Sequence, residues 1–194
     1  MTKTLLILSG VLAATQVVFA DLRITEWMYS GSDGEFIEVT NLGDRPVDLS
    51  GWSLDDDRGE PGHFLLDAGG TLAPGQSAII TEAGPKEFRA AWSLPGEVVV
   101  IGDLGNPDGK NIGRDDAIYL FDAEGVLVDR LTYGDTIIPG CPRTKGASAM
   151  PSSPDVLGTD QAGLWILAEI DDAAGTVVST GGDIGNPGRY ESGR

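Results

Sequence analysis

The chain has 194 residues with 28 Gly, 11 Pro, one Cys and one His, and its 30 acidic against 13 basic side chains give a net charge of −17. That charge excludes nucleic acid and an anionic membrane surface as natural partners, and the lone Cys and lone His exclude a disulfide framework and a Cys-rich or multi-His metal centre. Gly and Pro make up about a fifth of the chain beside 41% apolar residues, which describes a turn-rich folded domain rather than a disordered one.

Residues 1–20 read as a secretory leader. Lys3 supplies the positive start, the stretch from Leu5 to Leu12 is apolar except for Ser9 and Gly10, and Val18-Phe19-Ala20 offers a peptidase site with cleavage after Ala20. The apolar stretch falls short of the roughly 20 residues that span a bilayer, and no Cys lies near the cleavage point for lipid attachment. The expectation is an exported, soluble domain over 21–194, in the periplasm or the external medium.

From Asp21 onward, short apolar runs alternate with turn residues. Strands are expected over 22–29, 35–41, 52–54, 63–66, 77–81, 98–101, 117–121, 126–132 and 164–167, each rich in Ile, Leu, Val, Thr or aromatics. Ser32-Asp33-Gly34, Ala73-Pro74-Gly75 and Asp122-Ala123-Glu124-Gly125 are among the turns between them. One helix is expected over 86–92, with Pro85 placed to begin it and Pro95 beyond its end, as a crossover at one edge. Neither parallel βαβ spacing nor a long helical period is evident. Residues 140–163, with Pro142, Pro151 and Pro154 among Ser, Gly and Ala, read as a long surface loop. The two Gly-Asn-Pro runs at 105–107 and 185–187 read as separate turns. The pattern predicts an all-β sandwich or barrel.

Three blocks resemble the lamin tail domain family in its bacterial exported form. The first is Leu22-Arg23-Ile24-Thr25-Glu26-Trp27-Met28-Tyr29 followed by Gly34-Glu35-Phe36-Ile37-Glu38-Val39-Thr40-Asn41. The second is Pro46-Val47-Asp48-Leu49-Ser50-Gly51-Trp52-Ser53-Leu54, joined later by Leu72-Ala73-Pro74-Gly75. The third is Gly125-Val126-Leu127-Val128-Asp129-Arg130-Leu131-Thr132-Tyr133-Gly134, and Asp183-Ile184-Gly185-Asn186-Pro187-Gly188 looks like the end of such domains. The resemblance spans most of 22–190. It implies an immunoglobulin-like β-sandwich serving as a binding or scaffolding module, and it carries over no catalytic residue set. Many bacterial members are fused to hydrolases or nucleases, an arrangement this chain has no room for.

The residues themselves suggest several sites. Asp55-Asp56-Asp57 follows a strand, Asp115-Asp116 precedes one, and Asp103, Asn106 and Asp108 lie in a Gly-containing loop between them. Calcium takes six to eight oxygen ligands of this kind, although the spacing does not match an EF-hand. Solubility and Asx turns explain the same residues without an ion. Glu26, Glu35 and Glu38 read either as a solvated face or strand-end cap, or as an acidic patch for a cation or basic partner. Trp52 is expected in the core, and one of Phe36 and Ile37 beside it with the other facing outward. His63, at a strand start, reads as structural or exposed rather than catalytic. Cys141 is an odd thiol, either inert or an intermolecular disulfide partner. Trp27, Trp92 and Trp165 are core residues or a platform for sugar rings, with Trp92 the most exposed of the three. The leading expectation is a non-enzymatic exported module that binds a protein or cell-surface component, with calcium in its acidic loops. The alternatives are a metal-assisted phosphoester hydrolase and a carbohydrate-binding module.

Overall fold

A computed structural model describes residues 21–56, 58–104 and 112–191. Leu22–Met28 (β1) and Phe36–Asn41 (β2) form the first hairpin, followed by the short Val47–Asp48 (β3), Ser53–Asp55 (β4), Phe64–Leu65 (β5) and Thr71–Leu72 (β6). Ser77–Thr81 (β7), the helix Pro85–Ala91 (α1) and Val99–Ile101 (β8) come next, then the long pair Asp115–Phe121 (β9) and Leu127–Gly134 (β10). Ala149–Pro151 (β11), Trp165–Leu167 (β12), Val177–Val178 (β13) and Ile184–Gly185 (β14) complete the set.

These strands stack in two layers. A six-stranded sheet, β12-β11-β1-β2-β7-β8, faces a four-stranded one, β10-β9-β4-β5, and two-stranded ribbons β13-β14 and β3-β6 flank them. Ile24, Trp27, Ile37 and Val39 from the first layer meet Leu54, Ile118, Leu120 and Leu131 from the second in one apolar core. Trp52 joins that core from just before β4. Trp27 lies edge-on to Trp165 at 5.0 Å and tilted against Tyr133 at 5.2 Å, so a single indole ties both layers to the C-terminal segment. The result is an all-β sandwich with one short helix, one of the two architectures the strand pattern allows and the one the family resemblance implies.

The register of β1 on β2 shifts between Ile24 and Glu26. This bulge lets Ile24 and Trp27, three residues apart, both face the core. It also sets Glu26 directly opposite Glu38 on the other face of the sheet. Ile37 points into the sandwich and Phe36 points away, as alternation requires. Phe36 does not meet solvent, because α1 covers that face: Phe88 and Trp92 pack edge-on against it at 5.5 and 5.8 Å, beside Met28 and Ile79. Pro85 starts α1 at a position where its missing N–H leaves no helical bond unmade.

The structure corrects two expectations. Strands β7 and β8 pair in parallel, joined through α1, so the chain does contain one parallel crossover at the sheet edge. Residues 140–163 are not a surface loop. They supply β11, inserted between β1 and β12, and bury Thr144, Ser148, Ala149, Met150 and Ala162. Three residues among Ser, Gly and Pro are too few to show a strand period. Their strand character comes from two flanking strands that supply its hydrogen bonds and packing. The Gly-Asn-Pro run at 185–187 likewise begins in β14 rather than in a plain turn, and the run at 105–107 lies outside the described residues. The leader over 1–20 also lies outside them.

Candidate functional site

The β4–β5 hairpin pairs Ser53 with Leu65 and Leu54 with Phe64. Continuing that register by one residue sets Asp55 opposite His63, and the two side chains meet: His63 Nδ1 lies 2.9 Å from Asp55 Oδ1. The other Asp55 oxygen accepts the backbone N–H groups of Arg58 at 3.1 Å and Glu60 at 2.8 Å, which fixes the carboxylate in place. Asp56 adds a third group, and the ligand atoms of Asp55, Asp56 and His63 all lie within 4.8 Å of one another. Two carboxylates and an imidazole nitrogen form a donor set suited to zinc or a similar transition metal, since calcium takes oxygen alone. Sequence reasoning proposed Asp55 and Asp56 but set His63 aside; the hairpin register was the signal that linked them.

The remaining expected cation residues are spread over separate tasks. Asp103 is exposed, with a left-handed φ of 65°. Asp115 accepts both the hydroxyl and the backbone N–H of Thr136, closing the turn after β10. Asp116 accepts the N–H groups of Gly113 and Ala117 at the entry to β9. Burial drives the Tyr133 phenol well above its ordinary pKa, and the charges of Asp116, Glu35 and Asp56 add to the effect. Asp57, Asn106 and Asp108 lie outside the described residues.

Glu26 and Glu38 are neither a solvated face nor an exposed patch. Both are almost wholly buried on the outer face of the six-stranded sheet, beneath the segment that follows β14. Glu38 Oε1 accepts the Thr25 hydroxyl at 2.6 Å, and Oε2 accepts the backbone N–H of Gly188 at 2.6 Å. Glu26 accepts the Ser148 hydroxyl and, at 2.7 Å, the N–H of Asn186. The Asn186 amide in turn donates to the carbonyls of Ala174 and Arg189. Two carboxylates on neighbouring strands thus clamp residues 185–189 over the sheet. Burial raises the Glu38 pKa to about 7 despite these hydrogen bonds. Glycine is required in the clamp: a Cβ at Gly185 would sit 2.9 Å from Ser148 Oγ, and one at Gly188 would sit 2.8 Å from a Val98 methyl. Nothing in the composition separates these two Glu residues from the other acids, because the bulge and the overlying segment create their environment.

All three tryptophans considered for sugar stacking are buried, Trp92 at only 3% exposure under α1, so none offers a flat face to a saccharide. Cys141 is buried and accepts the Gly134 N–H at 3.3 Å. Burial raises its thiol pKa, which leaves it poorly placed for an intermolecular disulfide. No helix among the described residues is long and apolar enough to cross a membrane. A cleft of about 430 Å³ opens between α1 and the clamped segment, lined in part by Trp92, Val98, Val177 and Pro187.

Compared with known families, residues 16–135 match the model of the Lamin Tail Domain. The match begins within the leader-like segment and stops just after β10, so β11 to β14 and the clamped segment lie beyond it. No curated protein matches the chain.

Proposed function

From the membership of this chain in the lamin tail domain family, we propose an exported, non-enzymatic module that binds a protein or a cell-surface component. Domains of this family are immunoglobulin-like and generally non-catalytic. One observation carries the non-enzymatic part: the buried carboxylates that could act as acid or base are engaged as structural acceptors. Glu26 and Glu38 hold the N–H groups of Asn186 and Gly188, and Asp129 holds the N–H of Ile24 at 2.9 Å, linking β10 to β1. A general acid or base must instead reach the proton of a substrate. Export is supported by residues 1–20, with cleavage after Ala20 as the proposed processing step. The test is capture from a cell-envelope fraction on the immobilised protein, alongside an assay on a generic phosphodiester. Specific capture with no turnover is expected. Turnover abolished by a chelator would replace the module with the hydrolase.

The proximity of Asp55, Asp56 and His63 favours a second element of this reading, a divalent cation that braces the β4–β5 loop. Both Asp55 oxygens are already oriented, one by backbone N–H groups and one toward the shared centre. A site saturated a hundredfold adds about 2.7 kcal/mol. For a chain of this size that raises the thermal midpoint by about 5–10 °C. The shift is expected with zinc and not with magnesium, and His63→Gln is expected to remove it. A shift with calcium that survives His63→Gln would return the site to oxygen ligands alone.

A further inference from the structure

We propose that β12, β13 and the loop between them form a docking surface for a cationic amphipathic protein segment. This deepens the binding-module reading and rests on it. Ten large apolar side chains are exposed among the described residues, and six of them, Leu164, Ile166, Leu167, Ile170, Val177 and Val178, fall within 164–178. Alternation along β12 and β13 puts Leu167 and Val177 on the faces opposite to those of Ile166 and Val178. Ile166 stands opposite Met150, and Val178 stands opposite Ile184, so each shares a face with its partner. Met150 and Ile184 pack together with Ala168 and Ala174 in a small satellite cluster. Ile166 and Val178 therefore stand exposed at the two sides of this buried cluster, and β12 is the terminal strand of its sheet.

The chemistry of the partner follows from charge. Between Lys145 and Arg189 the chain carries no basic residue, and of the six acids in that interval Asp160 is paired with Arg130 and Asp183 is buried, which leaves Asp155, Glu169, Asp171 and Asp172. Glu169 and Asp171 are exposed and bracket Ile170, itself 59% exposed. An apolar strip rimmed by acids on a protein of net charge −17 repels a second copy of itself and an anionic lipid surface. It attracts a segment with apolar anchors among Lys or Arg. The surface is also pre-organised. Asp172 accepts the N–H groups of Ala174 and Thr176 and the Thr176 hydroxyl, which holds the 169–176 loop in shape, so docking orders little new backbone. Val177 lines the neighbouring cleft of about 430 Å³.

The test uses the full chain and a fluorescein-labelled peptide of about 18 residues, with Leu on one helical face and Lys on the other. Fluorescence anisotropy at physiological salt reads the affinity. The I166S/V178S double variant is expected to weaken binding at least about tenfold, and E169Q/D171N several-fold with a shallower salt dependence. V126S, at an equally exposed valine on the other sheet, is expected to leave binding unchanged, and all variants should keep the wild-type thermal midpoint within about 3 °C. Equal binding by V126S and I166S/V178S would reduce the effect to general acidity and overturn the patch, as would no binding by the wild type. An envelope component captured equally by wild type and I166S/V178S would also overturn the patch while leaving the binding module standing.

Discussion

Glu38 shows most directly how a residue's surroundings set its chemistry. Its carboxyl belongs to a common residue type in an acidic chain, yet burial beneath residues 185–189 raises its pKa from 4.5 to about 7. The folded chain therefore holds this proton more tightly than the unfolded chain does. The stability it contributes is full below about pH 4.5 and is lost as pH rises through about 7. Glu26, facing Glu38 across the strands, adds a second buried acid to the clamp, while the hydroxyls of Thr25, Thr40 and Ser148 and the N–H groups of Asn186 and Gly188 oppose the penalty. Glu38→Gln keeps the shape and, with its amide oxygen on the Gly188 N–H, turns the other acceptor into a donor facing the Thr25 hydroxyl, which costs about 1 kcal/mol. Thermal melts from about pH 5 to about pH 8 should show wild type losing its advantage over Glu38→Gln as pH rises. A gap that widened with pH would show that Glu38 is ionised throughout.

At the scale of elements, the long strands were read from the chain in full and the short ones only in part. Strand β7, Ser77–Thr81, coincides with the expected 77–81, and β1, β2, β9 and β10 differ from expectation by only one or two residues at their ends. Each presents enough Val, Ile, Leu and aromatic residues for the pattern to stand alone. Among the strands of two or three residues, β4, β5, β8 and β12 overlap expected runs at 52–54, 63–66, 98–101 and 164–167, whereas β3, β6, β11, β13 and β14 were not legible, because so short a run carries no period of its own and gains its pairing from neighbours. Strand β11 matters most among them. It lies beside β1, and the segment it belongs to brings Trp165 against Trp27. A chain truncated after Asp135, where the family match ends, would lose what covers Trp27 and the paired Glu26 and Glu38. Such a truncation is expected to lose its cooperative urea transition. Within the intact chain, Trp165→Ala should cost about 3–5 kcal/mol by the same measurement. A truncated chain that unfolds with wild-type cooperativity would mean that residues 136–191 are an appendage.

The whole molecule carries a net charge of −17, and few of its ion pairs offset it. Arg114–Asp135, Arg130–Asp160 and Arg189–Glu191 are all partly exposed pairs, the kind that contributes little to stability. Self-repulsion among the remaining acids therefore opposes the compact state. Raising NaCl from about 0.02 M to about 0.5 M, which shortens the screening length severalfold, should raise the thermal midpoint by a few degrees. A midpoint that falls with salt would mean that the exposed pairs outweigh the repulsion. The same charge sets the polarity of any partner, and the exposed Glu169 and Asp171 place part of it beside the exposed Ile170.

Composition, strand-length apolar runs and turn residues by themselves determined an acidic all-β sandwich or barrel with one helix, and the Glu35-Phe36-Ile37-Glu38 and Leu49-Ser50-Gly51-Trp52 blocks pointed to the family and so to the sandwich. Those signals are local: a strand's alternation and a turn's glycine act through neighbours in the chain. Only the tertiary structure decided that Glu26 and Glu38 are clamps, that His63 meets Asp55 and Asp56, that Trp92 is covered and that 164–178 leaves six large apolar side chains exposed. Each depends on burial or on contacts between residues distant in the chain. Glu38 and Gly188 are 150 positions apart, and no local pattern encodes a distance of that kind.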